Sequence, residues 1–204
     1  MALVDSESEL DHGDVAPDFE LPGTDGETYT VGSFADNEAL LVVFTCNHCP
    51  YAKAKFETLN DLATDYDEVA VVGINPNSTE IKPEDSFERM VELVEEGTIA
   101  YDAYLRDESQ TVAAAYGAEC TPDPFLFARE DGEERGSSDE SSGGRPRDGE
   151  FRLVYHGRID DAMNPDEEPT EHTMREAIES VLAGESVDIE EVPSRGCSIK
   201  WDED

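Results

Sequence analysis

The sequence predicts an α/β fold in which a central mixed β-sheet is flanked by helices, and three observations lead to it. An uncharged run of apolar and β-branched residues at 40–45 is typical of a buried strand, and a helix-periodic segment follows at about 50–65. A second apolar run at 69–75 completes a β-α-β unit, whose strands are parallel. Two later runs, at 124–128 and 151–156, have the pattern of a strand pair, which adds antiparallel strands.

The elements around these strands follow the same reasoning. Residues 16–31 alternate around an Asp-Gly pair, which predicts a β-hairpin ahead of the central strand. Asp85, with Glu88 three residues later, resembles a capping box and predicts a helix that ends at Gly97. A short strand at 101–105 is predicted next.

The second half of the chain predicts two more helices and a tail. A small helix at 110–116 is stopped by Gly117, and an amphipathic helix that is capped by Thr170 ends at Gly184. Residues 192–201 contain an isoleucine and the only tryptophan, so we expect the tail to dock on the domain.

Composition divides the chain into one domain with two distinct ends and an insertion. We expect a flexible acidic segment at 1–14, a domain at 15–184 and a C-terminal tail at 185–204. Residues 129–150 are rich in Gly, Ser and carboxylates and contain no large apolar side chain. Since such a segment cannot bury enough surface to order itself, we expect a solvated acidic insertion there.

The charge balance is extreme, with 51 acidic and 14 basic residues and a formal net charge of −37. Such a charge argues against nucleic acids and anionic membranes as partners, because like charges repel. The acidity is spread along the whole chain, as expected of a protein from a halophile, whose salt-rich cytoplasm screens the repulsion. The N-terminus lacks the basic and apolar regions of a signal peptide, so we expect a cytoplasmic protein.

The pattern that points to function is Cys46-Asn47-His48-Cys49, at the junction of the central strand and the next helix. A thiol at a helix N-terminus faces unpaired N–H groups and the positive end of the helix dipole, and both favour the thiolate. The two intervening residues let the second sulfur, one turn further on, reach the first and close a short disulfide. The pair can therefore cycle between dithiol and disulfide.

C-x-x-C has two other interpretations. It can form half of a zinc site, and a buried cysteine can simply fill the core. A structural zinc site usually has a second closely spaced pair, whereas Cys120 and Cys197 stand alone. Redox chemistry is the favoured interpretation, with no metal or cofactor expected. A metal-binding or redox-sensing module that uses Cys46, Cys49 and His48 stays open as an alternative.

Several motifs occur in an order that is informative: segments 16–21, 46–50, 117–122 and 157–161. Together they resemble the thioredoxin-like superfamily, and within it the redoxin branch that is related to alkyl hydroperoxide reductase and thiol-specific antioxidant proteins. The tail segment 196–201 is similar to the ending of one uncharacterised redoxin subfamily. The resemblance implies a thioredoxin-like three-layer sandwich, with the mixed sheet between layers of helices.

The resemblance also implies that Thr121-Pro122 is a cis peptide that faces the redox pair. Cys46, which we expect to be the more exposed thiol, is the proposed attacking thiolate, and Cys49 is the proposed resolving cysteine. His48 resembles the histidine that precedes the second cysteine of disulfide-isomerase-like sites, where an imidazole can stabilise a thiolate. A solvent-facing His48 without a role is the alternative.

These residues predict a thiol-disulfide oxidoreductase that acts on a protein or small-molecule disulfide and is recycled by an external thiol reductant. A peroxiredoxin-type thiol peroxidase is the alternative enzyme. Its Pro-x-x-x-Thr-x-x-Cys pattern is absent, because Val43 stands three residues before Cys46, and Cys46 three before Cys49. Cys120 is expected near the site, and Cys120 and Cys197 form either a second pair or two unrelated thiols.

Overall fold

The computed structural model describes residues 3–130 and 149–202, and these two ranges contain ten strands, five α-helices and two short 3-10 helices, Val31–Phe34 and Pro83–Asp85. The strands are β1 (Leu3–Asp5), β2 (Glu20–Pro22), β3 (Thr28–Thr30), β4 (Ala39–Phe44), β5 (Val69–Asn75), β6 (Ala103–Arg106), β7 (Cys120–Thr121), β8 (Asp123–Glu130), β9 (Glu150–His156) and β10 (Arg195–Ser198). The helices are α1 (Pro50–Lys53), α2 (Phe56–Asp65), α3 (Phe87–Glu95), α4 (Thr111–Tyr116) and α5 (Thr173–Leu182).

The central sheet has five strands in the order β6-β5-β4-β8-β9. β6, β5 and β4 are parallel, and β8 and β9 are antiparallel to their neighbours. Every residue of β4 and β5 is buried. Strands that are covered on both faces have continuous apolar sequences, which is the pattern of these two runs. The predicted mixed sheet is confirmed.

Helices and a hairpin cover the two faces of this sheet. On one face, α2 and α5 pack through Leu59, Leu62, Met174, Ala177 and Ile178 against the sheet residues Leu41, Val43 and Val71. On the other face, α4 and the β2–β3 hairpin pack against Leu40, Val42 and Phe44. Each large apolar side chain that is fully buried in this way contributes about 1.5–3 kcal/mol.

A second, three-stranded sheet has the order β1-β10-β7 and brings residues from both ends of the chain to the same place. β1 lies within the acidic segment at 1–14 that the sequence predicts to be flexible. The expectation that the tail docks is confirmed, since Ile199 is buried in the core next to α4. Trp201 is 41% exposed and does not share that core.

Three predicted elements differ in their details. The helix at 50–65 is broken into α1 and α2, and at the break the Lys55 ammonium donates to the buried Asp160 carboxylate at 2.5 Å. Ser86, not Asp85, caps α3, because its hydroxyl accepts from the backbone N–H of Arg89. The N-cap residue of α5 is His172, and the predicted cap, Thr170, donates to Asp161 instead.

Part of the predicted acidic insertion lies in the strands that flank it. Residues 129–130 belong to β8 and residue 150 to β9, whereas residues 131–148 lie outside the described part of the chain. Among the described helices, none combines the length and the apolar character that a membrane span requires.

Candidate active site

The three cysteines Cys46, Cys49 and Cys197 lie in one buried apolar cluster beside the carboxyl ends of β4 and β5. Parallel strands end at the same edge of a sheet, so the segments that follow β4 and β5 meet there. The first segment carries Cys46 and His48, and the second carries Asn77 and, further on, Asp85.

Cys46 is a free thiol that is fully buried, so the expectation of an exposed attacking thiol is wrong for this structure. Its Sγ lies 3.2 Å from the Thr121 hydroxyl. Cys46 also precedes the helix, because Cys49 is the N-cap of α1, and α1 has only four residues. The neighbouring side chains, more than the dipole of this short helix, set the environment of the Cys46 sulfur.

His48 lies against Asp85, with its Nδ1 2.7 Å from Asp85 Oδ2 and its side chain 7% exposed. The solvent-facing alternative for His48 is therefore wrong. The hydrogen bond with Asp85, followed by the interaction with Cys46, raises the pKa of His48 from 6.5 to about 9. The imidazole is thus protonated at neutral pH, and its positive charge lies near the Cys46 sulfur.

Asp85 is fully buried and held by several donors. The backbone N–H of Asn47 donates to Oδ1 at 2.7 Å, and the Asn77 side-chain amide donates to Oδ2 at 2.8 Å. Burial by itself raises the pKa of the Asp85 carboxyl, but the hydrogen bonds from His48, Asn77 and Asn47 outweigh it, and the pKa is lowered. Asp85 therefore remains a carboxylate that orients and charges His48.

Cys49 forms a disulfide with Cys197, and the predicted Cys46–Cys49 bond is not present. The Cα atoms of Cys49 and Cys197 are 6.5 Å apart, within the range that a disulfide spans. The possible Cys120–Cys197 pair is also wrong. β10 pairs with β7 so that Cys197 lies opposite Thr121, which turns the Cys197 sulfur toward Cys49, away from Cys120.

The Thr121-Pro122 bond is cis, as the resemblance implied. Cys46 approaches this segment through the Thr121 hydroxyl, and Cys49 Sγ lies 3.6 Å from the Thr121 carbonyl oxygen. Gly196 of β10 packs directly against the same peptide, where a Cβ would overlap the Thr121 carbonyl group. The five predicted site residues, Cys46, His48, Cys49, Thr121 and Pro122, are thus brought together, and their catalytic roles stay predictions.

Cys120 is close in sequence to this site but lies in different surroundings. Its buried Sγ donates to the carbonyl oxygen of Pro122 at 3.5 Å. Burial raises the pKa of the Cys120 thiol, and the carboxylates of Asp123, Glu119 and Asp5 raise it further. Cys120 is therefore held as a neutral thiol.

One group of side chains has the spacing of metal ligands. Cys46, His48 and Asp85 present ligand atoms that all lie within 4.8 Å of one another. This set differs from the predicted one, because Cys49 is in a disulfide and Asp85 takes its place. Both oxygens of Asp85 already accept hydrogen bonds, which favours a role in holding His48 over one in binding a cation.

Sequence reasoning missed two functional residues, Asp85 and Cys197. It assigned Asp85 to a helix cap on local spacing alone. The available signal was topological, since the segments after two adjacent parallel strands meet at one edge of the sheet. For Cys197 the available indication was the tail motif at 196–201. This motif suggested that the segment matters, but it did not indicate which cysteine bonds to Cys197.

The sequence matches the model of the AhpC/TSA family over residues 12–136. A comparison with curated proteins finds no match. Among solved structures, the chain is 39% identical to a hypothetical protein from Sinorhizobium meliloti 1021, with a TM-score of 0.80 and coverage of 97% of this chain and 98% of that one. It is 35% identical to an uncharacterized conserved protein from Geobacillus kaustophilus, with a TM-score of 0.82 and coverage of 100% and 98%.

A more distant structure addresses the fold alone. It is a proposed thiol:disulfide interchange protein DsbE from Chlorobium tepidum, at 18% identity, a TM-score of 0.53 and coverage of 86% of this chain and 98% of that one. The fold is thioredoxin-like, as predicted, with a mixed central sheet between flanking helices.

Proposed function

Because the chain belongs to the AhpC/TSA family, we propose that it is a thiol-disulfide oxidoreductase in which Cys46 attacks and Cys49 resolves. One observation carries this proposal. The free Cys46 thiol lies between the Thr121 hydroxyl and the protonated His48, in the same cluster as a disulfide-bonded Cys49.

The surroundings of Cys46 suit a nucleophile. A thiolate is the attacking species in disulfide exchange, and a nearby positive charge increases its population. His48 supplies that charge at neutral pH, because Asp85 keeps the imidazole protonated. The Nε2 atom of His48 is buried and has no hydrogen-bond partner among the described residues, which leaves a donor for the thiolate or for a leaving sulfur.

The reaction balances with these groups and a disulfide substrate. In the structure Cys49 is bonded to Cys197, so the external thiol reductant first opens that disulfide and is itself oxidised, which leaves Cys49 and Cys197 as thiols. The Cys46 thiolate then attacks one sulfur of the substrate, a Cys46–substrate disulfide forms, and the other substrate sulfur leaves as a thiolate that takes a proton. The Cys49 thiolate then attacks Cys46 Sγ and releases the second substrate thiol. Two electrons have moved from the cysteine pair to the substrate, and an external thiol reductant returns them.

The substrate must reach a sulfur that is covered in this structure. A surface depression lined by Asn47, His48, Lys53, Pro83 and Glu84 passes beside the imidazole. Access to Cys46 from this depression requires a local movement of the segment that carries Asn47 and His48, or of the tail. Either a protein disulfide or a small-molecule disulfide could reach Cys46 by this route.

A thiol peroxidase is the second candidate, and the position of Thr121 favours it. A threonine hydroxyl 3.2 Å from Cys46 Sγ can donate a hydrogen bond to a peroxide oxygen. The Cys46 thiolate would attack one oxygen, form a sulfenic acid and release water or an alcohol. Cys49 would then form a disulfide with Cys46 and release water.

The test is a comparison of two cysteine variants. Reduced C46S should reduce oxidised glutathione and insulin at least about 100-fold more slowly than the wild type, because it lacks the nucleophile. C120A should retain the wild-type rate within about twofold, because Cys120 is held as a neutral thiol outside the proposed mechanism.

The same proteins should be mixed with hydrogen peroxide, and their zinc content should be measured. Slow disulfide reduction together with rapid peroxide consumption through Cys46 would select the peroxidase. Stoichiometric zinc that is lost in C46S would select the metal-binding module. Equal disulfide reduction by C46S and the wild type would contradict the proposed function.

A further inference from the structure

We propose that Cys197 is a third redox-active cysteine, which takes the disulfide over from Cys46 and thereby returns Cys46 to the free thiol. This inference rests on the proposed function and extends it by one exchange step. It starts from the pairing of the four cysteines: Cys49 is bonded to Cys197, while Cys46 and Cys120 are free.

The disulfide lies where an exchange with Cys46 is possible. Cys46, Cys49 and Cys197 belong to the same buried cluster, and each is at most 1% exposed. Thr121 contacts two of these sulfurs, with its hydroxyl near Cys46 and its carbonyl oxygen near Cys49, and it lies opposite Cys197 in the sheet. The Cys49 sulfur therefore has two candidate partners in the same cluster: Cys46, three residues before it in the sequence, and Cys197, on the tail strand.

The tail is built to hold Cys197 in place. β10 is hydrogen-bonded between β1 and β7, so it is an inner strand of its sheet. On the N-terminal side of Cys197, the Ser194 hydroxyl donates to the Pro122 carbonyl oxygen at 2.7 Å. On the C-terminal side, the N–H of Ile199 donates to the Glu119 carbonyl oxygen at 2.9 Å, and the N–H of Lys200 donates to Asn77 Oδ1 at 2.8 Å.

Gly196 allows β10 to lie close to the Thr121-Pro122 peptide of the neighbouring segment. Its backbone approaches the Thr121-Pro122 peptide so closely that a Cβ would overlap the Thr121 carbonyl. A residue with a side chain at 196 would push β10 away from β7 and move Cys197 with it. The absence of a side chain next to Cys197 is thus a requirement of the Cys49–Cys197 contact.

The proposed step conserves atoms and electrons. After substrate reduction, Cys46 and Cys49 share a disulfide. The Cys197 thiol loses its proton, its thiolate attacks Cys49 Sγ, the Cys49–Cys197 bond forms, and Cys46 leaves as a thiolate beside His48. Over the whole sequence, a substrate disulfide becomes two thiols, and the thiols of Cys49 and Cys197 become one disulfide.

The experiment follows the disulfides of the full-length protein over time. Fully reduced wild type is mixed with one equivalent of oxidised glutathione, quenched with acid at intervals, alkylated and mapped by mass spectrometry. A Cys46–Cys49 bond should form first and give way to Cys49–Cys197, while Cys46 becomes available to the alkylating reagent. C120A, the matched control, should follow the same time course.

Two variants separate the steps. C197S should still reduce the first equivalent of glutathione disulfide but should stop at Cys46–Cys49, with Cys46 blocked. G196A keeps all four cysteines and should form Cys49–Cys197 at least about tenfold more slowly, because β10 is displaced from its partner. If C197S fails to fold, the wild-type and G196A time courses still decide the matter.

The outcomes distinguish this inference from the proposed function. Normal glutathione reduction with a Cys46–Cys49 bond that persists in the wild type would overturn the role of Cys197 and leave the oxidoreductase intact. No reduction of glutathione or insulin disulfide by the wild type would overturn the proposed function, and the exchange step with it.

Discussion

Cys46 and Cys120 are both free and fully buried thiols, and they lie near the same Thr121-Pro122 segment, but the charged groups near them differ. Cys46 lies near an imidazole that is positively charged at neutral pH. Cys120 lies near three carboxylates, which add to the effect of burial and raise the pKa of its thiol.

The contrast shows what selects a reactive thiol in this fold. Both sulfurs are buried, and both have a polar neighbour on the Thr121-Pro122 segment. The charged groups near the two sulfurs differ: His48 and Asp85 lie near Cys46, whereas Asp123, Glu119 and Asp5 act on Cys120. We therefore expect Cys120, although it is adjacent to the site in sequence, to react more slowly than Cys46, which lies on the imidazole side.

Alkylation of the reduced protein tests this contrast directly and should give the largest effect. At neutral pH, iodoacetamide should modify Cys46 at least about 100-fold faster than Cys120, because it reacts with the thiolate. Peptide mapping against time measures both rates in one sample, and in denaturant the two rates should converge. Similar rates in the folded protein would break the comparison.

The second effect concerns stability on the alkaline side. The pKa of His48 is raised to about 9 in the folded protein, so the free energy that the charged imidazole contributes is fully present below about pH 6.5 and is lost as the pH rises through 9. We expect the unfolding free energy of the reduced protein to fall by about 2 kcal/mol over this window. Denaturant titrations at a series of pH values measure this loss.

H48Q is the control for this stability loss, because its side chain does not titrate. Its unfolding free energy should lack the part of the alkaline decline that His48 causes. Asp85 acts in the opposite direction, because its pKa is lowered in the folded protein. The stability that its carboxylate contributes is fully present above about pH 3.8 and is lost as the pH falls below that value. An identical alkaline decline in H48Q and the wild type would contradict the assignment.

The third and smallest effect compares two buried carboxylates, each of which contacts a histidine. Asp85 contacts His48, and Asp123 contacts His156 at 2.9 Å on the Cys120 side. D85N should slow alkylation of Cys46 by about tenfold at neutral pH, because the pKa of His48 falls and less imidazolium faces the thiolate.

D123N is the matched variant, with the same chemical change on the other side of the segment. It should leave the Cys46 rate within about twofold, because Asp123 has no contact with His48. Equal slowing of Cys46 alkylation by D85N and D123N would mean that general destabilisation, not local charge, sets the rate. The comparison of the two thiols would then lose its physical basis.

The parts of the fold that the sequence predicted are those that local patterns determine. β4 and β5 are continuous apolar runs, the hairpin at 16–31 surrounds an Asp-Gly pair, and the tail contains a buried Ile199. In each case the information lies within a few consecutive residues. The position of Cys46 and Cys49 at the end of β4 follows from the same local reading.

The parts that it missed depend on contacts between distant residues. Asp85 lies 37 residues from His48, and Cys49 and Cys197 are separated by 148 residues. No sequence periodicity connects such distant positions. The short spacing of C-x-x-C therefore predicted Cys46, and not Cys197, as the disulfide partner of Cys49. The break between α1 and α2 likewise coincides with the contact of Lys55 with the distant Asp160, which local helix propensity does not report.

The position of β10 between β1 and β7 has a consequence for the order in which the protein is assembled on the ribosome. Cys46 and Cys49 emerge long before Cys197, and β1 emerges before either, without the strand that it will pair with. A nascent chain therefore offers Cys49 its close neighbour Cys46, and later Cys120, before Cys197 arrives, which is after the strands of the central sheet have been synthesised. The emergence of β10 is what first makes the Cys49–Cys197 pair possible.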